Sequence, residues 1–301
     1  MAKRGAVGIL LALALAAGVA FAVSSALSGP YPAPPVGVSG SPLLFKSASW
    51  LIWLAPFAGL LAAGLSKRSD SRIEGDRVLR HDGVAILEHW SHGAATVLLL
   101  VTGLALGAIG LPRLVAGRVE AALALNVHYV GAALFAFAAA YYATNTLLSG
   151  RLREHLPSSV GGALKDAVAH YRAVFGGGEF PRDGKYFASE HLTYPIAVLG
   201  SAVILVTGLL KVAAYAFDLP GGLMAVVRVS HDVAAVALGV FLVAHAIAGA
   251  LVPWSWPLLR SMFTGFVTVE YAREHHKAWF DQLTHGERRE PDEPDERKLS
   301  A

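Results

Sequence analysis

The feature that most constrains this chain is a series of long apolar segments. They cover residues 43–65, 84–110, 121–148, 192–217 and 223–251. Each is long enough to cross a hydrocarbon layer of ~30 Å as a helix that rises ~1.5 Å per residue. Because the apolar residues come in unbroken blocks rather than at every second position, they favour helices over barrel strands. The sequence therefore predicts an all-α integral membrane helical bundle.

Composition limits what such a bundle can bind. The chain has 301 residues, of which 54% are hydrophobic and only 16% are charged, and it contains no cysteine. The lack of thiols excludes disulfides, thiolate iron–sulfur clusters and covalent haem attachment through cysteine. The net charge of +3 is small, and no nucleic-acid motif is present. Any cofactor must therefore be held by other side chains, and no nucleic-acid partner is expected.

The order of the segments predicts a four-helix core with one or two extra N-terminal spans. Residues 1–27 are an apolar stretch behind Lys3 and Arg4, which fits a signal peptide and an N-terminal membrane helix equally well. Residues 28–80 are predicted as a linker, an extra transmembrane helix and a cytoplasmic loop, and residues 81–256 as the core. Residues 257–301 are predicted as a cytoplasmic amphipathic segment and a disordered tail.

Basic residues indicate the orientation. They concentrate between residues 65 and 84 and between residues 148 and 192. By the positive-inside rule these loops and the C-terminus are cytoplasmic, in a multi-pass protein of the cytoplasmic (inner) membrane. Two mixed apolar and charged stretches, 160–175 and 258–283, are expected to form helices at the cytoplasmic surface.

Four histidines fall at two depths of the predicted bundle. His89 and His245 lie toward the cytoplasmic side, whereas His128 and His231 lie toward the outer side. His231 and His245 are separated by close to four full helical turns, so they share a face and stand ~21 Å apart along the axis. This arrangement is what two stacked six-coordinate b haems require, with His128 and His231 as outer axial ligands and His89 and His245 as inner ones.

Other interpretations of these polar groups stay open at this point. A single membrane histidine also serves as an interhelical hydrogen-bonding group, and His92 competes with His89 for the inner site. Asp232 is expected to face the outer rim or a partner subunit. The sequence LVTGL occurs at 100–104 and again at 205–209, where it allows either close helix packing or a role facing a cofactor.

The remaining histidines lie in polar segments. Solvated surface is the expectation for His81, His155, His170, His275, His276 and His285. His191 differs because it follows Glu190 and lies near Lys185 at the cytoplasmic mouth of a span. A quinone carbonyl needs a hydrogen-bond donor and a proton source at such a place, although polar side chains at a membrane surface also occur without any ligand.

Several stretches together resemble one family. LEHW followed by LVTGL, NVHYVG, the His231 and His245 pair, and MFTGFVTVEYAREHHKAWF at 262–280 resemble the cytochrome b (gamma) subunit of respiratory formate dehydrogenase. The likeness covers residues 80–283. It implies the same two haem b pairs, a quinone as electron acceptor, and two partners used in anaerobic respiration. These partners are an iron–sulfur beta subunit at the outer face and a molybdenum or tungsten pterin alpha subunit that carries the formate chemistry.

The chain departs from that family in two places. Where the family usually reads Lys-Tyr-Asn-Ala-Gly-Gln-Lys, residues 185–191 read KYFASEH. Phe187, Glu190 and His191 replace the asparagine, glutamine and second lysine. The candidate quinone site is thus Lys185, Glu190 and His191, and it is either rebuilt, adapted to another quinone, or altered in function. The extra N-terminal region has no counterpart in the four-helix core and is expected to pack against a partner subunit.

Three alternatives remain. In the first, the protein keeps its haems but receives electrons from a hydrogenase or from another molybdopterin oxidoreductase. A membrane non-haem metalloenzyme would need ligands clustered at one depth, and only His89 with His92 resembles a local chelate. A proton-coupled transporter would use the membrane histidines as a proton relay.

Overall fold

The computed structural model describes residues 48, 51–108, 110–214 and 217–287. It is 75% helical with almost no strand, which confirms the all-α membrane bundle. Among these described residues, four helices are apolar and long enough to cross a membrane: Gly83–Leu106, Val119–Leu148, Ala188–Ala213 and Gly221–Leu251. The predictions for residues 1–27, for the linker up to residue 47 and for the tail from residue 288 lie outside the described residues.

The helices and strands are as follows. The helices are α1 (Leu51–Leu65), α2 (Gly83–Leu106), α3 (Arg118–Leu148), α4 (Leu152–His155), α5 (Val160–Val174), α6 (Ala188–Ala213), α7 (Gly221–Ala246), α8 (Trp256–Thr264), α9 (Val269–His275) and α10 (Lys277–Glu287). A π-helical turn, Ile247–Leu251, follows α7 directly, and the 3-10 turn Pro253–Ser255 comes after it. The strands are β1 (Ile73–Glu74), β2 (Arg77–Leu79) and β3 (Phe266–Thr268).

The chain forms two compact units. The first, here called the bundle unit, comprises the described residues up to Arg68 together with Gly83–Leu152 and Pro195–Ser255. The second, here called the mixed unit, comprises Ser69–Asp82, Arg153–Tyr194 and the described residues from Trp256 onward. The four core spans supply most of the bundle unit, while the short helices and the strands belong to the mixed unit.

The extra helix α1 packs against α3 within the bundle unit. Its Gly59 lies so close to α3 that an added Cβ atom would stand 2.4 Å from the carbonyl oxygen of Phe137. Ile52 packs on Tyr129 in the same contact. The described part of the predicted span at 43–65 is helical over Leu51–Leu65. The extra segment is therefore an additional wall of the core, and the expected contact with a partner subunit stays a prediction.

Small residues also let the core helices approach one another. An added Cβ at Gly200 of α6 would stand 2.9 Å from the side chain of Leu238 on α7. Large apolar side chains such as Leu61, Leu199 and Val240 point outward and are exposed. In a bilayer such surfaces meet lipid chains, so close packing of small residues rather than burial of large ones holds the helices together.

The mixed unit contains a small antiparallel sheet in the order β1-β2-β3. Strands of two or three residues are too short to leave a periodic pattern, and the sequence did not indicate them. The stretch 258–283, predicted to be helical, contains three helices and also β3, because Gly265 adopts φ 87° and ends α8 before β3 begins. The carbonyl oxygen of Gly265 accepts hydrogen bonds from the backbone N–H groups of Arg80 and His81. Val78, Val267, Ala272 and Trp279 form the core of this unit.

The helix expected at 160–175 is present as α5. Ser159 caps its N-terminus by accepting a hydrogen bond from the Gly162 N–H. Ala163 and Ala167 on one face pack against Ala188.

Candidate functional site

The two histidines predicted for the outer layer have matching environments. His128 lies on α3 and His231 on α7, close enough to each other to interact electrostatically. The Nδ1 atom of His128 is 2.8 Å from the Thr102 hydroxyl, and the Nδ1 atom of His231 is 2.9 Å from the Thr207 hydroxyl. Both rings are therefore oriented through Nδ1, which leaves Nε2 as the atom suited to binding a metal.

Charged side chains lie near this outer pair. Lys211 on α6 interacts electrostatically with both His128 and His231. The same lysine interacts with Asp232 and with Arg228 on α7. Asp232, which the sequence left without a partner, thus has a cation within electrostatic range in its own bundle unit. Lys211 and Arg228 bring two positive charges to this layer.

The two histidines predicted for the inner layer face each other directly. The ring centroids of His89 and His245 are 5.9 Å apart and the ring planes differ by 54°. Two imidazoles that bind one metal from opposite sides, each at a bond length of about 2 Å, have centroids roughly 6 Å apart. Phe241 stacks on His245 at 5.8 Å and Trp90 meets the edge of His89 at 5.1 Å. The spacing fits one metal held between the two rings.

His92, the competitor for the inner site, has a different environment. Its Nε2 atom lies 3.4 Å from the hydroxyl of Ser201 on α6, and its ring is 4.5 Å from Phe135 on α3. This geometry is that of an interhelical hydrogen-bonding group packed between two neighbouring helices.

A buried polar cluster lies beside His89 in the bundle unit. Arg68, just after α1, forms an ion pair and hydrogen bond with Glu88, the neighbour of His89. Ser66 and Tyr141 share a hydrogen bond of 2.7 Å nearby. Arg68, which follows the extra N-terminal helix, therefore neutralises the carboxylate of Glu88 next to the candidate ligand His89.

The donor set fits haem b better than a bare metal ion. The described residues contain no group of three or more His, Cys, Asp and Glu side chains placed to hold an ion. They instead present two pairs of imidazoles at two depths. Haem already supplies four nitrogen ligands and needs only two axial imidazoles from the protein.

The predicted quinone residues all lie in the mixed unit. The Oε2 atom of Glu190 accepts a 2.7 Å hydrogen bond from the Phe187 N–H and lies 3.8 Å from Nη2 of Arg80. Glu190 thus caps the start of α6 and is also the counter-ion of a buried arginine. The Lys185 ammonium lies over the ring of Tyr186, at 5.7 Å from its centroid.

His191 is the predicted quinone residue with an available polar atom. Its Nδ1 atom is buried and has no hydrogen-bond partner among the residues that the structure describes. The ring of Tyr186 stands edge-on at 6.3 Å. His155 lies 4.7 Å from Tyr186 and stacks on Tyr194 at 4.8 Å. Tyr186 thus connects His191, whose nitrogen is able to donate or accept a hydrogen bond, with the rings of His155 and Tyr194.

Sequence reasoning missed the centre of the mixed unit. His276 was expected on the solvated surface, but it is fully buried. Its Nε2 atom accepts a hydrogen bond of 3.1 Å from Arg80, so Nδ1 carries the proton and donates to the Gly184 carbonyl at 2.8 Å. Burial first, and then the Arg80 guanidinium, lower the pKa of His276 to about 2. Burial likewise raises the pKa of Tyr271 to about 12.

His170 was also wrongly expected on the surface. It is buried, and its Nδ1 atom lies 3.3 Å from the Oδ2 atom of Asp183, which is buried as well. The only signal for these positions is the run of aromatic residues near them, such as Phe180 and Phe187, which pack on the imidazole. Aromatic residues beside histidines in a polar segment indicate a small core rather than a solvated tail.

The fold defines a class, the all-α membrane helical bundles, and its paired histidines are candidate ligands of a metal cofactor. The sequence model of the prokaryotic cytochrome b561 family matches residues 80–265, more than half of the chain. The chain belongs to this family, and with it to the membrane haem b electron-transfer proteins. A search of curated proteins finds no match. The formate dehydrogenase gamma subunit is a narrower assignment than this family and stays a prediction.

Proposed function

We propose that this protein is the diheme membrane subunit of a formate dehydrogenase-like complex. It receives electrons from an iron–sulfur partner at the outer membrane face, passes them through two b haems and delivers them to a quinone. The observation that carries this proposal is the pairing of the four histidines, with the inner rings 5.9 Å apart and the outer rings each oriented by a threonine.

Each part of the bundle unit has a role in holding these haems. His128 and His231 hold the outer haem, and His89 and His245 hold the inner one. Bound haem supplies a reversible one-electron carrier at each depth. Lys211 and Arg228 bring positive charge to the outer layer, which suits the propionate carboxylates that every b haem carries. Both layers lie on apolar helices long enough to cross a membrane.

The direction of transfer follows from the charge distribution of the loops. The basic segments at 65–84 and 148–192 support a cytoplasmic position for the loops between spans and for the C-terminus, in the cytoplasmic membrane. The outer pair then faces the partner subunits, and quinone reduction draws its protons from the cytoplasm. Transfer of electrons inward across the membrane makes the complex electrogenic.

His191 is the residue that binds the quinone carbonyl in this proposal. Its buried, unpartnered Nδ1 atom and the neighbouring rings of Tyr186 and Tyr194 suit an aromatic headgroup with a polar oxygen. Glu190 and Lys185 complete the candidate site, with Glu190 held beside Arg80. The replacement of the usual lysine by His191 is then an adaptation of the site rather than its loss.

The formate dehydrogenase assignment rests on the motif at 262–280 and can be tested through the electron donor. We expect the complex purified from membranes to contain an iron–sulfur subunit and a pterin subunit, and formate to reduce both haems as followed by the absorbance of reduced haem b. Haem reduction by hydrogen but not by formate would assign the chain to a hydrogenase instead. Reduction by neither, with other subunits co-purified, would contradict both donors.

The quinone site is tested in the same preparation. The variant His191→Phe is expected to keep reduction of both haems by the donor, but to slow their reoxidation by a soluble quinone analogue about tenfold or more, since loss of a hydrogen bond to a bound polar group costs about 1–3 kcal/mol. His285→Phe is the matched control, because His285 lies on the exposed surface of α10. Equal reoxidation rates in the two variants would contradict a role for His191.

A further inference from the structure

The repeated sequence LVTGL places the same two residues beside each outer histidine. The two copies lie on α2 and α6, at 100–104 and 205–209. The hydroxyl of Thr102 donates to the carbonyl of Leu98 at 2.7 Å, and that of Thr207 donates to the carbonyl of Val203 at 2.6 Å. Each threonine hydroxyl thus donates its only hydrogen to a backbone carbonyl of its own helix.

Because the hydroxyl hydrogen is donated in this way, the tautomer of each neighbouring imidazole is determined. A hydroxyl whose hydrogen is already donated can only accept from a neighbour. The contacts of 2.8 Å at His128 and 2.9 Å at His231 are therefore N–H donations from Nδ1 to the threonine oxygens. In both rings the lone pair is on Nε2.

The glycine of each copy provides the space for the ring. A Cβ atom at Gly103 would stand 3.6 Å from Cε1 of His128, and one at Gly208 would stand 3.5 Å from Cε1 of His231. Each imidazole thus lies within van der Waals distance of its glycine position, where a side chain longer than that of alanine would meet the ring. Threonine and glycine together set both the rotation of the ring and its tautomer.

Among the described residues, no equivalent support is present at the inner pair. Within the part of the chain that the structure describes, neither His89 nor His245 has a hydroxyl at its Nδ1 atom; their contacts are with each other and with the rings of Trp90 and Phe241. The two layers therefore differ in the hydrogen bonding of their ligands.

We infer that Thr102 and Thr207 are matched positioning residues that tune the outer haem. This inference rests on the proposed ligation of that haem by His128 and His231. An N–H donated to an oxygen makes an imidazole a stronger electron donor to the metal. Stronger donation favours the oxidised iron and so lowers the reduction potential of the outer haem. The two haems consequently differ in potential, and the difference depends on the two hydroxyl groups.

Removing one hydroxyl is the direct test. In Thr102→Val and in Thr207→Val we expect the outer haem to titrate at a higher potential, by on the order of a threefold to tenfold change in the ratio of oxidised to reduced haem; tenfold corresponds to about 59 mV for one electron. The inner haem keeps its potential. Thr102→Ser retains the hydroxyl and is expected to titrate like the wild type. Thr96→Val is the matched control, because Thr96 also donates to the carbonyl four residues before it, that of His92.

The measurement is a redox titration of the purified complex followed by haem absorbance and electron paramagnetic resonance. Loss of the outer haem in both valine variants, with retention in Thr102→Ser, would also support the inference. Unchanged potentials and spectra in the valine variants, or a serine variant that behaves like valine, would overturn it. Either of these results leaves the proposed function intact, whereas a wild-type protein without haem b would instead contradict the proposed function itself.

Discussion

At the residue scale, one neutral imidazole joins three segments of the mixed unit. His276 accepts a hydrogen bond from Arg80, which follows β2, and donates one to the carbonyl of Gly184 in the loop before α6. Its ring stacks on Phe187 at 4.4 Å. A protonated imidazole would have no acceptor role left and would place a second positive charge beside the guanidinium. The native unit thus requires His276 to be neutral.

This requirement predicts a pH dependence of stability. The pKa of His276 is lowered from its usual value of 6.5 to about 2, so the unfolded unit binds a proton that the folded unit does not between those values. The full stabilisation of the mixed unit by neutral His276 is present above about pH 6.5. Below that pH the stabilisation declines, and the equilibrium constant for opening of the unit rises about tenfold per pH unit. The lowered pKa of the neighbouring His275 acts in the same direction.

The absence of cysteine makes this dependence measurable. A single cysteine introduced as Ala272→Cys, at a fully buried position, reports opening of the mixed unit through its rate of reaction with a disulfide reagent that works at acidic pH. Gln282→Cys, on the exposed surface, supplies the reference rate. Relative to the reference, the cysteine at position 272 is expected to react faster as the pH is lowered from 7 to 5. This change is expected to be smaller when His276→Gln is added. An identical slope with and without His276 would refute the assignment.

The residue scale also shows which features a sequence can reveal. The four paired histidines are placed by helical periodicity and by depth in a span, which are local properties. The contact between Arg80 and His276 joins residues that are 196 positions apart. No local sequence pattern indicates such a contact. The threonine partners of His128 and His231 are likewise on other helices, so LVTGL was visible as a repeat but its role was not.

At the element scale, helix α1 is a packed part of the bundle unit. It packs along α3, and the chain just beyond its end supplies Arg68 to Glu88 beside the candidate inner ligand His89. The sequence predicts an extra span here and favours packing against a partner subunit, because the four-helix family core contains nothing in that position. Packing of small residues such as Gly59 can be recognised only once the neighbouring helix is known.

A pair of glycines on α1 tests this packing. Gly59→Ala places a Cβ atom 2.4 Å from a backbone oxygen of α3, whereas Gly64 has nothing within 4 Å. We expect Gly59→Ala to destabilise the protein by about 1–3 kcal/mol through overpacking. Gly64→Ala should be neutral or slightly stabilising, because alanine favours the helix by up to about 1 kcal/mol. Thermal unfolding in detergent measures both, and equal effects would show that α1 does not pack tightly on α3.

At the scale of the whole molecule, the described chain is a carrier built from two self-contained units. The bundle unit contains the paired histidines, and the mixed unit contains the candidate quinone residues with their aromatic neighbours. The sequence predicted the first as a set of spans, since membrane helices leave long apolar blocks. It did not predict the second as a compact unit, because that unit is assembled from three separate stretches whose strands and helices are short.

The central claim is that four histidines hold two b haems at two depths, and haem stoichiometry tests it most directly. Haem b is extracted and quantified per chain in the purified wild type and in His231→Ala and His245→Ala. We expect two haems in the wild type and one in each variant, with the remaining haem at the outer pair in His245→Ala and at the inner pair in His231→Ala. A wild type with fewer than two haems, or variants that retain both, would contradict it.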